Sequence, residues 1–258
     1  MSKRWLQIVP FILVILGYAA WSHARHVEDP RDKLVPNLAQ LVAGARRVTQ
    51  AGPDGRVWIA DDVVASLRRF ALGMGLAAGG AVATGLLMGT SRTAEALLST
   101  FVAGLAKVPP LAMLPLIFIM AGVGEAPKVE LIVLGMAPVL AQDVHLRCRE
   151  VPLEAIQKAL TLGASRLGVA FRVVLPVAWP RILDSVRLAI GPAWIYLIAA
   201  EAIAADSGLG YRIYVVQRFL GVNIILVYIA VIVALGLAMD AALRLWIHAR
   251  YPWSLQSS

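Results

Sequence analysis

Long apolar stretches alternate with short polar ones along the chain, and that rhythm sets the elements. A helix needs about 20 mostly apolar residues to cross roughly 30 Å of hydrocarbon. The first such stretch runs from Trp5 to about Trp21 behind Lys3 and Arg4, with an aromatic residue at each end. A secretory signal has a shorter apolar run and a small-residue cleavage site. This run ends in Trp21 and His23 instead, which predicts a retained helix. The second stretch, Phe70 to Ser91, holds no charge and carries two helical rows of small residues: Gly75, Gly79 and Ala83, then Ala77, Ala81, Gly85 and Gly89. Small residues four apart let helix backbones approach closely, so this helix is expected to pack on both sides.

The third stretch, about Ala96 to Gly124, is interrupted by Lys107, Pro109, Pro110 and Pro115. Proline lacks a backbone donor and breaks a helix, and a break within lipid survives only against protein or a cavity. Two readings stay open. Either Lys107 faces a pathway, or Ala96 to Ala106 lies at the interface and the span begins at Val108. Further spans are expected at about Val129 to Leu146 with Pro138 inside, Leu188 to Ala205, and Val222 to Trp246. That makes about six transmembrane helices, with both termini on one side. Between the first two spans, Arg25 to Asp62 is predicted to hold a short helix around Leu38 to Val48 and a turn at Gly52-Pro53-Asp54-Gly55.

Composition narrows the class. Of 258 residues, 59% are hydrophobic and 16% charged, against about 25% charged in soluble domains. This excludes a soluble fold and a disordered chain and predicts an all-α integral membrane protein. The net charge of +8 is spread between apolar runs, which suits headgroup contacts at span ends and not a nucleic-acid face. The basic residues on the two sides do not settle orientation by count. One cysteine, Cys148, excludes a disulfide framework, and His23, His26, His145 and His248 lack metal-ligand spacing. No metal site and no catalytic residue are expected. None of the five lysines follows a glycine, so the chain has no P-loop to cradle phosphates.

The polar stretch from Glu150 to Arg187 carries a different period. Ile156, Leu160, Gly163, Leu167, Phe171 and Val174 recur at three- and four-residue steps, with Gln157, Lys158, Thr161, Ser165, Arg166 and Arg172 on the other face. The pattern predicts an amphipathic helix, ended by Leu175-Pro176, with Pro180 beyond. Glycine costs a helix about 1 kcal/mol, so Gly163 marks a bend or a close backbone approach. That favours a helix that docks on a partner over one lying on the membrane.

Here "ALTLGASRLGVAFRVVLPVAWPRIL" resembles the cytoplasmic EAA loop of permease subunits of bacterial ATP-binding-cassette importers. The family's glycine, followed thirteen residues later by the proline of an apolar-x-Leu-Pro unit, corresponds to Gly163, Val173, Leu175 and Pro176. From Asp61 on, "SLRRFALG", "VPPLAMLPLIFIMAGVGEAPKV", "GPAWIYLIAAEAIAADSGLGYRI" and the terminal "YPW" resemble the branch that imports nitrate, taurine and alkanesulfonates. "HVEDPRDKLVPNLAQL" is similar to a subset associated with urea- or guanidine-like solutes. One motif departs. The family's Glu-Ala-Ala reads Gln157, Lys158, Ala159 here, so an acidic contact to the ATPase does not carry over to Gln157, and Glu154 one turn back stands as a substitute.

The resemblance implies a type I importer permease (MetI-like) fold. It divides the chain into an N-terminal transmembrane helix (1–24), a periplasmic loop with a short helix (25–69), a core permease domain (70–248) including a cytoplasmic coupling loop (148–187), and a cytoplasmic tail (249–258). It implies an inner-membrane, multi-pass protein with both termini cytoplasmic, acting as a homodimer with two ATPase subunits and a periplasmic substrate-binding protein. No cofactor is expected in this chain, since ATP and Mg would be bound by the ATPase. The docking residues would be Glu154, Gln157, Ala159, Gly163, Ala164, Ser165, Leu175 and Pro176. Lys107, Pro109, Pro110, Met120, Trp194 and Glu201 are the pathway candidates, with Glu201 either lining the pathway or pairing with a residue such as Arg212. The alternative is an ion-coupled secondary transporter using Lys107 and Glu201, although no repeat relates the two halves.

Overall fold

The computed structural model describes residues 4–30, 32–52 and 55–253, and every regular element among them is helical. Three helices are long and apolar enough to cross a membrane alone: α3 (Trp58–Thr90), α6 (Ala126–Arg149) and α12 (Val222–Arg250). Two bent pairs supply two more crossings. One joins α4 (Arg92–Leu105) through a 3-10 turn at Pro110–Met113 to α5 (Leu114–Ala121), bent by 79°. The other joins a helix running from α8 (Arg166–Val169) through α9 (Leu175–Leu188) to α10 (Ile190–Ala204), bent by 41°. Ahead of them, α1 (Arg4–Glu28) shows an exposed apolar run from Val9 to Leu16. Short helices α2 (Leu38–Thr49), α7 (Leu153–Thr161) and α11 (Leu209–Gln217) lie between these spans.

The centre of the bundle is the α3–α6 pair. A Cβ added at Gly73 would meet Ile132, at Gly85 Val144, and at Gly89 Cys148, all within 2.8 Å. The sequence offset between partners is the same at all three contacts, so the two helices run parallel. Parallel neighbours need a connection that crosses back. The bent α4–α5 limb is therefore a broken span and not a re-entrant loop. The seam uses Gly73, Gly85 and Gly89 together with buried Ala77 and Ala81, while Gly75 and Gly79 meet nothing. Of the two predicted rows, one packs and the other faces outward.

Two ends can now be distinguished. One holds the start of α3, the α5–α6 junction, the end of α10, α11 and the start of α12. The other holds the α6–α9 connection and the end of α12. At the first end, α1 folds back on the following segment, with Tyr18 Oη donating to the Pro36 carbonyl at 2.8 Å and Arg25 Nε meeting Asp32 at 2.7 Å. Asn37 and Gln40 cap α2 reciprocally. Asn223 then ties α12 to α2 through the Gln40 carbonyl, at 3.2 Å.

Several expectations change. The second helix begins at Trp58, not Phe70, because Asp62, Ser66 and Arg69 are buried and partnered rather than solvated. The connection after α1 is accordingly shorter than residues 25–69. Of the predicted turn at Gly52-Pro53-Asp54-Gly55, Gly55 N donates to the Gly52 carbonyl at 2.9 Å, while Pro53 and Asp54 lie outside the described residues. The amphipathic helix from Ile156 is interrupted at Gly163, whose φ is +86°. Pro176 does not end a helix there. A five-residue π-turn at Ala170–Val174 sends the Leu175 N–H to the Ala170 carbonyl and carries the chain into α9, with Pro180 inside. Pro176, which has no N–H to give an i→i−4 bond, follows directly in the first turn of α9.

Candidate functional site

Two polar assemblies stand at opposite ends of the bundle. The first is the α7–α9 elbow. Its inner face, Val169, Ala170, Val174, Ala178 and Ile182, is buried with Leu86, Val144 and Cys148 of α3 and α6, and Ile156 and Ala159 pack against the same cluster. Glu150 anchors the base, accepting from Arg147 at 3.0 Å and from Arg181 at 2.5 Å. Glu95 of α4 holds Arg149 and lies 3.5 Å from His145 Nε2. Ser165 caps α8 by accepting from Gly168 N at 3.1 Å. The outer face carries Leu153, Leu160, Leu162, Leu167 and Phe171, all exposed, with Leu162 at 88%. The elbow is thus apolar on two sides, and only one is filled by its own chain.

Of the predicted docking residues, Glu154, Gln157, Gly163, Ala164 and Ser165 are exposed on this elbow, and Ala159 is half-buried beneath it. At the start of α9, Leu175 is half-buried against the elbow's inner cluster and Pro176 beside it is exposed. The bend at Gly163 is real, but a Cβ there would meet nothing, so no close approach within the chain explains it.

The second assembly is a buried network of which sequence reasoning named only Glu201 and Arg212. Asp62, Ser66 and Arg69 fall four and three residues apart on one face of α3. Asp62, fully buried, accepts from Gly208 N at 2.9 Å, Arg212 Nε at 2.8 Å and Tyr228 Oη at 2.8 Å. Ser66 Oγ donates to Glu201 at 2.8 Å and accepts from Leu209 N at 2.8 Å. Glu201 also accepts from Gly210 N at 2.9 Å and Arg69 Nη1 at 2.8 Å. Arg69 Nη1 also reaches the Ser207 carbonyl at 2.7 Å, and Nε and Nη2 hold both oxygens of Glu125 at 2.6 and 2.8 Å. Lys128 Nζ meets the same carboxylate at 2.8 Å. These hydrogen bonds, Arg69 foremost, hold the Glu125 carboxyl down at about 2. Arg212 also lies 4.8 Å from the Trp58 ring.

Glu201 therefore pairs with Arg69, and Arg212 with Asp62, in place of the expected Glu201–Arg212 pair. Glu201 is closed in by α3 and by the Ser207–Gly210 turn and lines no open path within the single chain. The other pathway candidates do not converge. Lys107 and Pro109 are exposed and Pro110 half-buried at the α4–α5 elbow, while Met120 is 87% exposed on α5. Trp194 is buried on α10, stacked on Phe70 at 4.8 Å. The missed residues had a signal: charges at one helical phase, continuing directly into an apolar run, mark a helix that extends past its apolar part.

An all-helical membrane bundle that offers a stiff elbow with an unfilled apolar face defines a membrane-embedded subunit of a larger assembly. The family of binding-protein-dependent transport system inner membrane components matches residues 75–249. The taurine transport system permease protein TauC of Escherichia coli (strain K12) is 36% identical over 210 residues, 80% of this chain and 76% of that protein. The bicarbonate transport system permease protein CmpB of Synechococcus elongatus is 30% identical over 261 residues, covering 95% of this chain and 92% of CmpB. In fold, the chain matches a subunit of the MetNI methionine ABC transporter in an inward-facing conformation, with TM-score 0.66, 20% identity and coverage of 73% and 94%. The chain belongs to this family: it is a membrane permease subunit of an ATP-binding-cassette importer. The ion-coupled alternative falls with that membership.

Proposed function

We propose that the α7–α9 elbow is the docking surface for a separate ATPase, and that two copies of this chain and two ATPases form the working importer. The observation that carries the reading is the exposed apolar face Leu153, Leu160, Leu162, Leu167 and Phe171, held on a base fixed by Glu150 and turned at Gly163. A patch of that kind marks a partner surface. The elbow's end of the bundle is then cytoplasmic, the end of α12 with it, and the opposite end meets a periplasmic binding protein. ATP and Mg belong to the partner, in keeping with the absence of a P-loop. Relatives named for taurine and bicarbonate transport support a small anionic or zwitterionic solute.

The test is co-purification of tagged permease with its cognate ATPase from detergent, for wild type, Leu162→Asp and Gly163→Asp. Both positions are exposed, but only Leu162→Asp leaves the backbone unstrained; Gly163→Asp puts a side chain on a φ of +86° and so tests the bend as well. The expected result is a complex with two copies of each chain from wild type and free permease from both variants. A full complex from Leu162→Asp would remove the elbow as the docking surface.

A further inference from the structure

Within the buried network, the side chains of Arg69 and Lys128 are only 6% and 3% exposed, whereas Glu125, which they both hold, is 63% exposed. Arg69 presents the flat edge of its guanidinium, Nε and Nη2, to both Glu125 oxygens, and Lys128 adds its ammonium to Oε1. Such a fork matches any oxyanion with two free oxygens, a carboxylate or a sulfonate alike.

The cations are fixed and the carboxylate is not. Arg69 lies within α3, its remaining nitrogen committed to Glu201 and the Ser207 carbonyl. Lys128 sits in the first turn of α6 between buried Pro127 and Leu131. Glu125 lies in an exposed segment, residues 121–126, in which a Cβ at Gly122 or Gly124 would meet nothing. Its carboxylate can therefore swing into solvent while the two cations stay in place.

We infer that Arg69 and Lys128 form an oxyanion-binding site plugged by the chain's own Glu125, and that the carboxylate or sulfonate of a small solute displaces the plug and takes over its three hydrogen bonds. Charge makes this an exchange. Asp62, Glu201 and Glu125 balance Arg69, Arg212 and Lys128. When Glu125 leaves, two buried cations share Glu201 alone, and one incoming monoanion restores neutrality. A tethered competitor acts at high effective concentration, so the plug yields only where solute is locally concentrated, as by delivery. That the anion is the transported solute rests on the importer reading; that the site takes an oxyanion does not.

The test is chemical rescue with the permease held in nanodiscs with its ATPase. Thermal-unfolding midpoints are compared in sodium methanesulfonate, sodium acetate and sodium chloride at equal ionic strength. Glu125→Gln is expected to lower the midpoint, and methanesulfonate and acetate to raise it saturably where chloride does not. Adding Lys128→Met should weaken that rescue about tenfold in apparent affinity, the effect of losing one charge-assisted bond. If Glu125→Gln gives no folded complex, Glu125→Asp keeps the charge on a shorter arm and should show a larger anion-dependent rise than wild type. No rise beyond chloride, or equal rescue with Lys128→Met, overturns the site. A full ATPase complex from Leu162→Asp in co-purification would sink the docking reading without touching this result.

Discussion

At single positions, the network depends on the absence of side chains as much as on charges. Gly208 has φ +125°, and a Cβ there would lie 2.5 Å from Glu201 Oε1. Gly208→Ala would therefore strain the backbone and push on a buried carboxylate, and it should destabilise the protein by about 2 kcal/mol or more. Gly79→Ala is the control: its Cβ meets open space in the middle of α3, so it should not destabilise and should gain up to about 1 kcal/mol of helix propensity. Thermal unfolding of the two variants in nanodiscs reads the difference. Glu125 makes a second prediction. Its carboxyl is lowered from 4.5 to about 2, so its pairing stabilises the folded state above pH 4.5 and is lost as pH falls from there towards 2. The effect is modest because the carboxylate is largely in water. A wild-type stability profile that steepens below pH 4.5, and flattens in Glu125→Gln, would bear this out.

At the scale of helices, the α3–α6 seam is the most extensive contact among the described residues, and it can be tested by adding an atom on one side and removing a side chain on the other. Gly89→Ala would place a Cβ 2.5 Å from that of Cys148, an overpacking expected to cost about 1–3 kcal/mol. Cys148→Gly removes the opposing atom, so the double variant should recover part of the loss in an unfolding double-mutant cycle. Much of this architecture was legible beforehand. One of the two small-residue rows, the broken Ala96–Gly124 segment and the short helix at Leu38 read directly from periodicity and proline, while the second row faces outward against expectation. The start of α3 did not, because four charges at Asp61, Asp62, Arg68 and Arg69 look like a solvated boundary until the partners of Asp62 and Arg69 on α10, α11 and α12 are known. The partners on those helices lie more than 130 positions away, and Glu125 lies 56 from Arg69, beyond the reach of any local pattern. The elbow was half legible. Its apolar period was visible, but Gly163 splits it and the π-turn before Pro176 continues it, and neither follows from spacing.

At the scale of the whole molecule, parallel helices α3 and α6 run from the elbow at one end to the buried network at the other. Packing as close as theirs transmits displacement as a rigid body, so motion at the elbow must be taken up where the rods meet α10, α11 and α12. Asp62 is the joint that decides how. It is fully buried and holds α11 through Arg212 and the Gly208 turn, and α12 through Tyr228. Removing one charge of this pair leaves the other buried and uncompensated, which typically costs about 3–5 kcal/mol. Asp62→Asn and Arg212→Gln should each fall in that range. The double variant, with no stranded charge, should lie well below their sum. Tyr228→Phe removes one hydrogen bond and should cost only about 1–2 kcal/mol. A cycle measured by thermal unfolding separates the two accounts. Strong coupling makes Asp62–Arg212 the strut that holds α11 to α3. Additive losses would instead leave the Gly208 turn and Tyr228 as the ties that hold this end together.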